Sequence, residues 1–156
     1  MKISWVVLAE GITQDAKGAF SLIGLNQNIV FVDSLPSQTK RALLAHLESA
    51  VSEGADDLSP ATFTFTVKSP SGAIISAQTG QIQSGEFPFK DLPATADIPF
   101  EAMIPIGETG EYLLGFQIRY STGRVEEASS SLFVLENSEN PQFKKFKEAA
   151  GVTGDK

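Results

Sequence analysis

Residues 111–123, EYLLGFQIRYSTG, place Tyr112, Leu114, Phe116, Ile118 and Tyr120 on one parity and Leu113, Gly115, Gln117 and Arg119 on the other. A helix would scatter those five large side chains around its circumference, whereas a strand puts all of them on one face. A second run, PATFTFTVKSPSG, sends Phe63, Phe65 and Val67 one way and Thr62, Thr64, Thr66 and Lys68 the other. Both runs end in turn chemistry, Ser-Thr-Gly at 121–123 and Pro-Ser-Gly at 70–72, as hairpin strands do.

The same period recurs through most of the chain and predicts strands near residues 2–10, 19–33, 40–49, 61–68, 73–79, 95–106, 111–120 and 124–135. The stretch 11–18 reads as a connection ending in Lys17-Gly18. In the strand 19–33 the alternation changes parity at Gly24, which predicts a bulge or bend there and a strand able to serve two sheets. Residues 40–51, KRALLAHLESAV, fit a helix through Leu43, Leu47 and Val51 and a strand through Leu43, Ala45 and Leu47. The strand is the reading adopted; a helix would make 37–53 an α+β insertion and leave seven strands.

Eight strands with no long amphipathic helix between them predict an all-β fold, an antiparallel β-sandwich of immunoglobulin-like or jelly-roll-like kind, because a parallel sheet needs crossover helices. A chain of 156 residues can bury such a core without disulfides or a structural metal. The sandwich is expected to occupy residues 1–135 and a tail 136–156. In that tail Asn140 reads as an N-cap, Pro141 as the first helical residue and Gly151 as the stop, predicting a short helix near 141–150.

In order along the chain stand LAEG, GAFSLIGLNQNI, the Leu35-Pro36 link, LLAHLE, FTFTVKSPSGAII and DIPFEAMIPIGETGEYLLGFQI. Over residues 1–135 this resembles a large family of small bacterial proteins of unknown function. Its members share a Gly-Lys/Ala-x-x-Leu-Ile-Gly second strand and a late Gly-x-Tyr-x-Phe strand. The resemblance implies a β-sandwich and a strand at 40–49; the family has no established activity, so it assigns no site residue. The tail after Glu136 departs from it.

Composition excludes several chemistries. A net charge of −7 opposes phosphate backbones and anionic lipid surfaces, so neither nucleic acid nor membrane is an expected partner. The absence of cysteine removes thiolate nucleophiles and Cys-based metal sites. Glu10 interrupts the first apolar run before a signal-peptide core is complete, and no segment is long and apolar enough for a membrane helix, which predicts a cytoplasmic protein.

His46, the one histidine, is the natural acid-base candidate. On the strand reading it faces away from Leu43, Ala45 and Leu47, so a surface residue is expected. One histidine without cysteine is a poor start for zinc, and no Ser or Thr lies in a nucleophile-elbow motif. Loop carboxylates at Glu53, Asp56 and Asp57, and at Glu86, Asp91 and Asp97, could serve calcium but do not follow EF-hand spacing; hydrated acidic loops are the expected outcome. They are no better as a glycosidase pair, because paired spacing cannot be read across loops. Ser129-Ser130-Ser131 reads as polar strand, and Phe87 and Phe89 around Pro88 as core. The remaining lead is the tail, where Lys144, Lys145 and Lys147 flank Phe143 and Phe146. Four Lys against four acids over 136–156 leave −7 on the body, so a basic aromatic face could dock on the sandwich or on a partner.

The sequence therefore predicts a non-enzymatic interaction or assembly module without a cofactor, using the tail and an exposed strand edge, with strand 124–135 a candidate edge. Its partner is expected to be another protein or a second copy. The alternative is a small-ligand or carbohydrate-binding sandwich using loops 53–60 and 80–94, with or without calcium.

Overall fold

The computed structural model describes residues 1–25, 28–49, 60–83, 94–142, 144 and 145. It is all-β, with ten strands: β1 (Lys2–Ala9), β2 (Gly11–Gln14), β3 (Phe20–Ile23), β4 (Ile29–Val32), β5 (Ser37–Glu48), β6 (Ala61–Lys68), β7 (Ile74–Ile82), β8 (Thr95–Ile106), β9 (Gly110–Tyr120) and β10 (Val125–Glu136). They form a three-stranded sheet in the order β1-β5-β8, a five-stranded sheet in the order β4-β10-β9-β6-β7, and the hairpin β2-β3.

The ambiguous stretch is a strand. β5 pairs antiparallel with β1 on one side and β8 on the other, in register from Ser37 opposite Ile106 to Glu48 opposite Thr95. Leu43, Ala45 and Leu47 are fully buried, and neighbours on both sides supply the ladder that overrides local helical propensity. Ala50 and Val51 lie outside the described residues.

Two expectations are corrected. The connection 11–18 contains β2, which pairs with β3 through a turn where Asp15 Oδ1 accepts the amides of Lys17 at 2.8 Å and Ala19 at 2.9 Å. A four-residue strand is too short for alternation to register. The single strand 19–33 is two, because Gly24 takes φ +64°, a left-handed conformation that breaks the run. β3 stays with β2, while β4 runs parallel to β10, Ile29 opposite Phe133, so the sheets are not purely antiparallel.

The inward faces of the two larger sheets share one core. Leu8, Leu43, Leu47, Phe100 and Ile104 come from one sheet, and Phe65, Val67, Leu114, Phe116, Leu132 and Val134 from the other. At its centre Phe100 stacks on Phe65, ring centroids 5.1 Å apart, and meets Phe63 edge-on at 5.3 Å and Phe116 at 5.7 Å. Phe63 lies across Gly80 of β7, where an added Cβ would come within 2.2 Å of the ring.

The chain passes from β8 in one sheet to β9 in the other through a corner pinned by a buried tyrosine. Tyr112 Oη donates to the carbonyl of Glu108 at 2.9 Å and accepts the amides of Gly107 at 3.2 Å and Glu108 at 3.3 Å. After β10 comes a 3-10 turn, Asn137–Glu139. Pro141, Gln142, Lys144 and Lys145 then have helical backbone, with the Gln142 amide donating to Asn140 Oδ1 at 2.9 Å and the Lys144 amide to the Asn140 carbonyl at 3.0 Å. Phe143 and residues 146–150, the rest of the expected helix, lie outside the described residues, as do 151–156.

Candidate functional site

The strand expected at an edge is one over most of its length: β4 pairs only with Phe133–Glu136 of β10, and among the described residues no strand pairs with residues 125–132 on that side. Among the described residues the sheet edges are β1 and β8 in the three-stranded sheet, β4, the first eight residues of β10 and β7 in the five-stranded one, and both strands of the β2-β3 hairpin. Unpaired strand edges invite pairing with other chains, and proteins blunt them with proline, charge, bulges or brevity.

Most of these edges carry such devices: β2 and β3 are four residues long, and the open stretch of β10 carries Glu126 and Glu127. β8 has Pro99, Pro105, Asp97 and Glu101. β1 is bulged between Ile3 and Trp5, and the Ile3 amide is taken by Glu126 Oε2 at 2.7 Å. β4 is four residues long. β7, IISAQTGQI, has neither proline nor charge over nine residues. An irregularity separates Ile74 from Ser76, but from Ser76 opposite Val67 to Ile82 opposite Ala61 its register with β6 is regular. Ala77, Gln78 and Thr79 are exposed, and no strand among the described residues pairs with the far side of β7.

The outer face beside this edge holds a shallow groove of about 380 Å³. Its floor is Gly115 between Thr66 and Ser129; Thr64, Gln117 and Glu127 line one end and Lys68, Leu113 and Ile74 the other. Gln117 Nε2 donates to Glu127 Oε1 at 2.5 Å. A Cβ at Gly115 would meet Thr66 Oγ1 at 2.9 Å, so the threonine hydroxyl occupies the space the glycine leaves.

His46 faces outward, as expected, but not alone. Three neighbouring strands each contribute one side chain to a row, Trp5 from β1, His46 from β5 and Asp97 from β8. The imidazole stacks on the indole at 4.7 Å with an interplanar angle of 10°, and its Nδ1 lies 2.7 Å from Asp97 Oδ1. An ionised carboxylate only accepts, so Nδ1 carries the proton. The row orients a base but contains no nucleophile. Farther along this face Lys40 Nζ lies 3.0 Å from Glu101 Oε1. The hydrogen bond from Lys40, and then that from the Ile12 amide, hold the Glu101 carboxyl below the usual glutamate range.

Of the tail residues singled out above, Lys144 and Lys145 are described and exposed. Phe143, Phe146 and Lys147 lie outside the described residues, as do Glu53, Asp56, Asp57, Glu86, Asp91, Phe87 and Phe89. Among the described residues no group of three or more His, Asp or Glu side chains could hold a metal ion, and no helix is long and apolar enough to cross a membrane. Sequence reasoning did not single out the β7 edge. Its signal was present as nine consecutive residues without charge or proline, but which strands lie at edges is not a local property.

No family model and no curated protein matches the chain. Among solved structures it is similar to Bacteroides uniformis beta-glucuronidase 2 covalently bound to cyclophellitol-6-carboxylate aziridine, at 15% identity and a TM-score of 0.43, covering 63% of this chain and 12% of that one. It is also similar to the C-terminal domain of wzt, at 15% identity and a TM-score of 0.40, covering 86% of this chain and 72% of that one. The chain thus spans about an eighth of the length of the glucuronidase.

Proposed function

We propose that the chain is a non-enzymatic, cytoplasmic interaction module, an immunoglobulin-like β-sandwich whose contact element is the open edge of β7. The observation that carries this reading is that β7 is the longest edge strand among the described residues with neither proline nor charge, regular in register from Ser76 to Ile82. A partner strand added there would bond to the free main-chain groups of β7, with side-chain contacts setting specificity.

Three features support the sandwich arrangement: a shared core between a three-stranded and a five-stranded sheet, a strand order that places β5 and β8 in one sheet and β6, β9 and β10 in the other, and the tyrosine-pinned corner between β8 and β9. In this reading Phe65, Phe100 and Phe116 fill the centre that antibody domains fill with tryptophan and a disulfide. The chain then belongs with the small bacterial β-sandwich proteins it resembles, and the basic tail from Lys144 onward is a second contact element. A second reading, binding of a small polar ligand or a sugar, rests on the groove over Gly115.

A photo-crosslinking amino acid at Gln78 tests the edge, with the same group at exposed Lys17 as control. Adducts formed in producing cells through position 78 and not through 17 are expected. Position 78 giving no more adduct than position 17 would sink the edge reading.

A further inference from the structure

We infer that the occupant of the β7 edge is a second copy of this chain, paired β7 to β7 antiparallel about a twofold axis. This rests on the reading of β7 as a contact edge and names its partner.

Charge is the first argument. Each chain carries −7, so two copies repel unless they meet through an uncharged surface. β7 is uncharged, and in the neighbouring strand β6, ATFTFTVK, the one charge is the positive Lys68. Pairing here therefore sets no acid against an acid of these strands. A basic partner, which an acidic protein attracts elsewhere, gains nothing from an uncharged edge.

Self-complementarity is the second. Antiparallel pairing of the regular segment Ser76–Ile82 with itself has Thr79 at its midpoint. Thr79 then faces its own counterpart, Gln78 faces Gly80 and Ala77 faces Gln81. Threonine opposite threonine is a favourable cross-strand pair, and no like charges are opposed.

Closure is the third. Each chain has one long edge strand without charge or proline among its described residues, so an isologous pairing of β7 consumes both and stops at two copies, whereas a head-to-tail contact would propagate. The two five-stranded sheets become one continuous sheet.

The test uses the full chain and four proteins: wild type, Thr79→Lys, Thr79→Cys and, as a control, Thr13→Cys. Sedimentation velocity across a wide concentration range should show a wild-type monomer–dimer equilibrium. Thr79→Lys should raise the dimer dissociation constant about tenfold or more, the scale of a lost hydrogen bond, with circular dichroism unchanged and Tm equal to wild type at concentrations where both are monomeric. Because the chain has no cysteine, Thr79→Cys should give a covalent dimer on oxidation that a cysteine at exposed Thr13 does not. A dimer left intact by Thr79→Lys, with no covalent dimer from Thr79→Cys, overturns the proposal, and the cysteine result decides if the lysine variant fails to fold. A wild type monomeric at every concentration also overturns it. If the Gln78 crosslink then carries a different protein, the edge reading survives; if it carries nothing, both fall.

Discussion

Tyr112 shows how much of the architecture can hang on one hydroxyl. The residue is fully buried, and its Oη satisfies one carbonyl and two amides where the chain leaves one sheet for the other. Tyr112→Phe keeps the ring and removes the bonds to these partly exposed main-chain groups, so it should cost about 1 kcal/mol in urea denaturation, the net worth of a typical hydrogen bond. Glu108 in the same corner also accepts the Ser71 hydroxyl at 2.7 Å and the Ser71 amide at 3.0 Å, and these bonds hold its carboxyl below the usual glutamate range. A depressed folded-state pKa contributes stability that is present above the unfolded value and is lost as pH falls through the folded one. The side chain is exposed, so the effect on stability is small. A carboxyl NMR titration should nevertheless find Glu108 below ordinary glutamate and should move it upward in Ser71→Ala. His46 is the opposite lesson: its outward direction was legible from alternation, but its indole and carboxylate neighbours come from strands 41 and 51 residues away in the chain, and no local pattern announces them.

At the scale of elements, the strands that read most clearly are those with one face mostly buried. β6 and β8 begin and end at the predicted residues, and β9 differs by one at its start. The failures are short or interrupted strands: β2 has four residues, and Gly24 hid the division between β3 and β4 because a left-handed residue and a bulge leave the same parity change in a sequence. Edges follow the same logic. The prolines of β8 cannot donate to a ladder and so suit its open side. Replacing Pro99 and Pro105 by threonine restores two donors to that edge, and light scattering should show greater concentration-dependent association than in the wild type. Unchanged scattering in a folded variant would mean that charge, not proline, protects β8.

For the whole molecule, the sequence by itself determined that the chain is built from strands, which face of each long strand is apolar, and that cysteine chemistry is absent. Alternation determines this because burial of one sheet face imposes period two on every strand, wherever its partner lies. Only the tertiary structure decided how the strands are divided between sheets, that β4 covers the end of β10 and runs parallel to it, that β7 is an open edge, and that Trp5, His46 and Asp97 form a row. Those outcomes depend on which apolar faces meet across the core, around Phe100 and its aromatic neighbours, and on the registers that let them close. They arise from contacts between residues far apart in the chain, and period two is silent about which strand pairs with which.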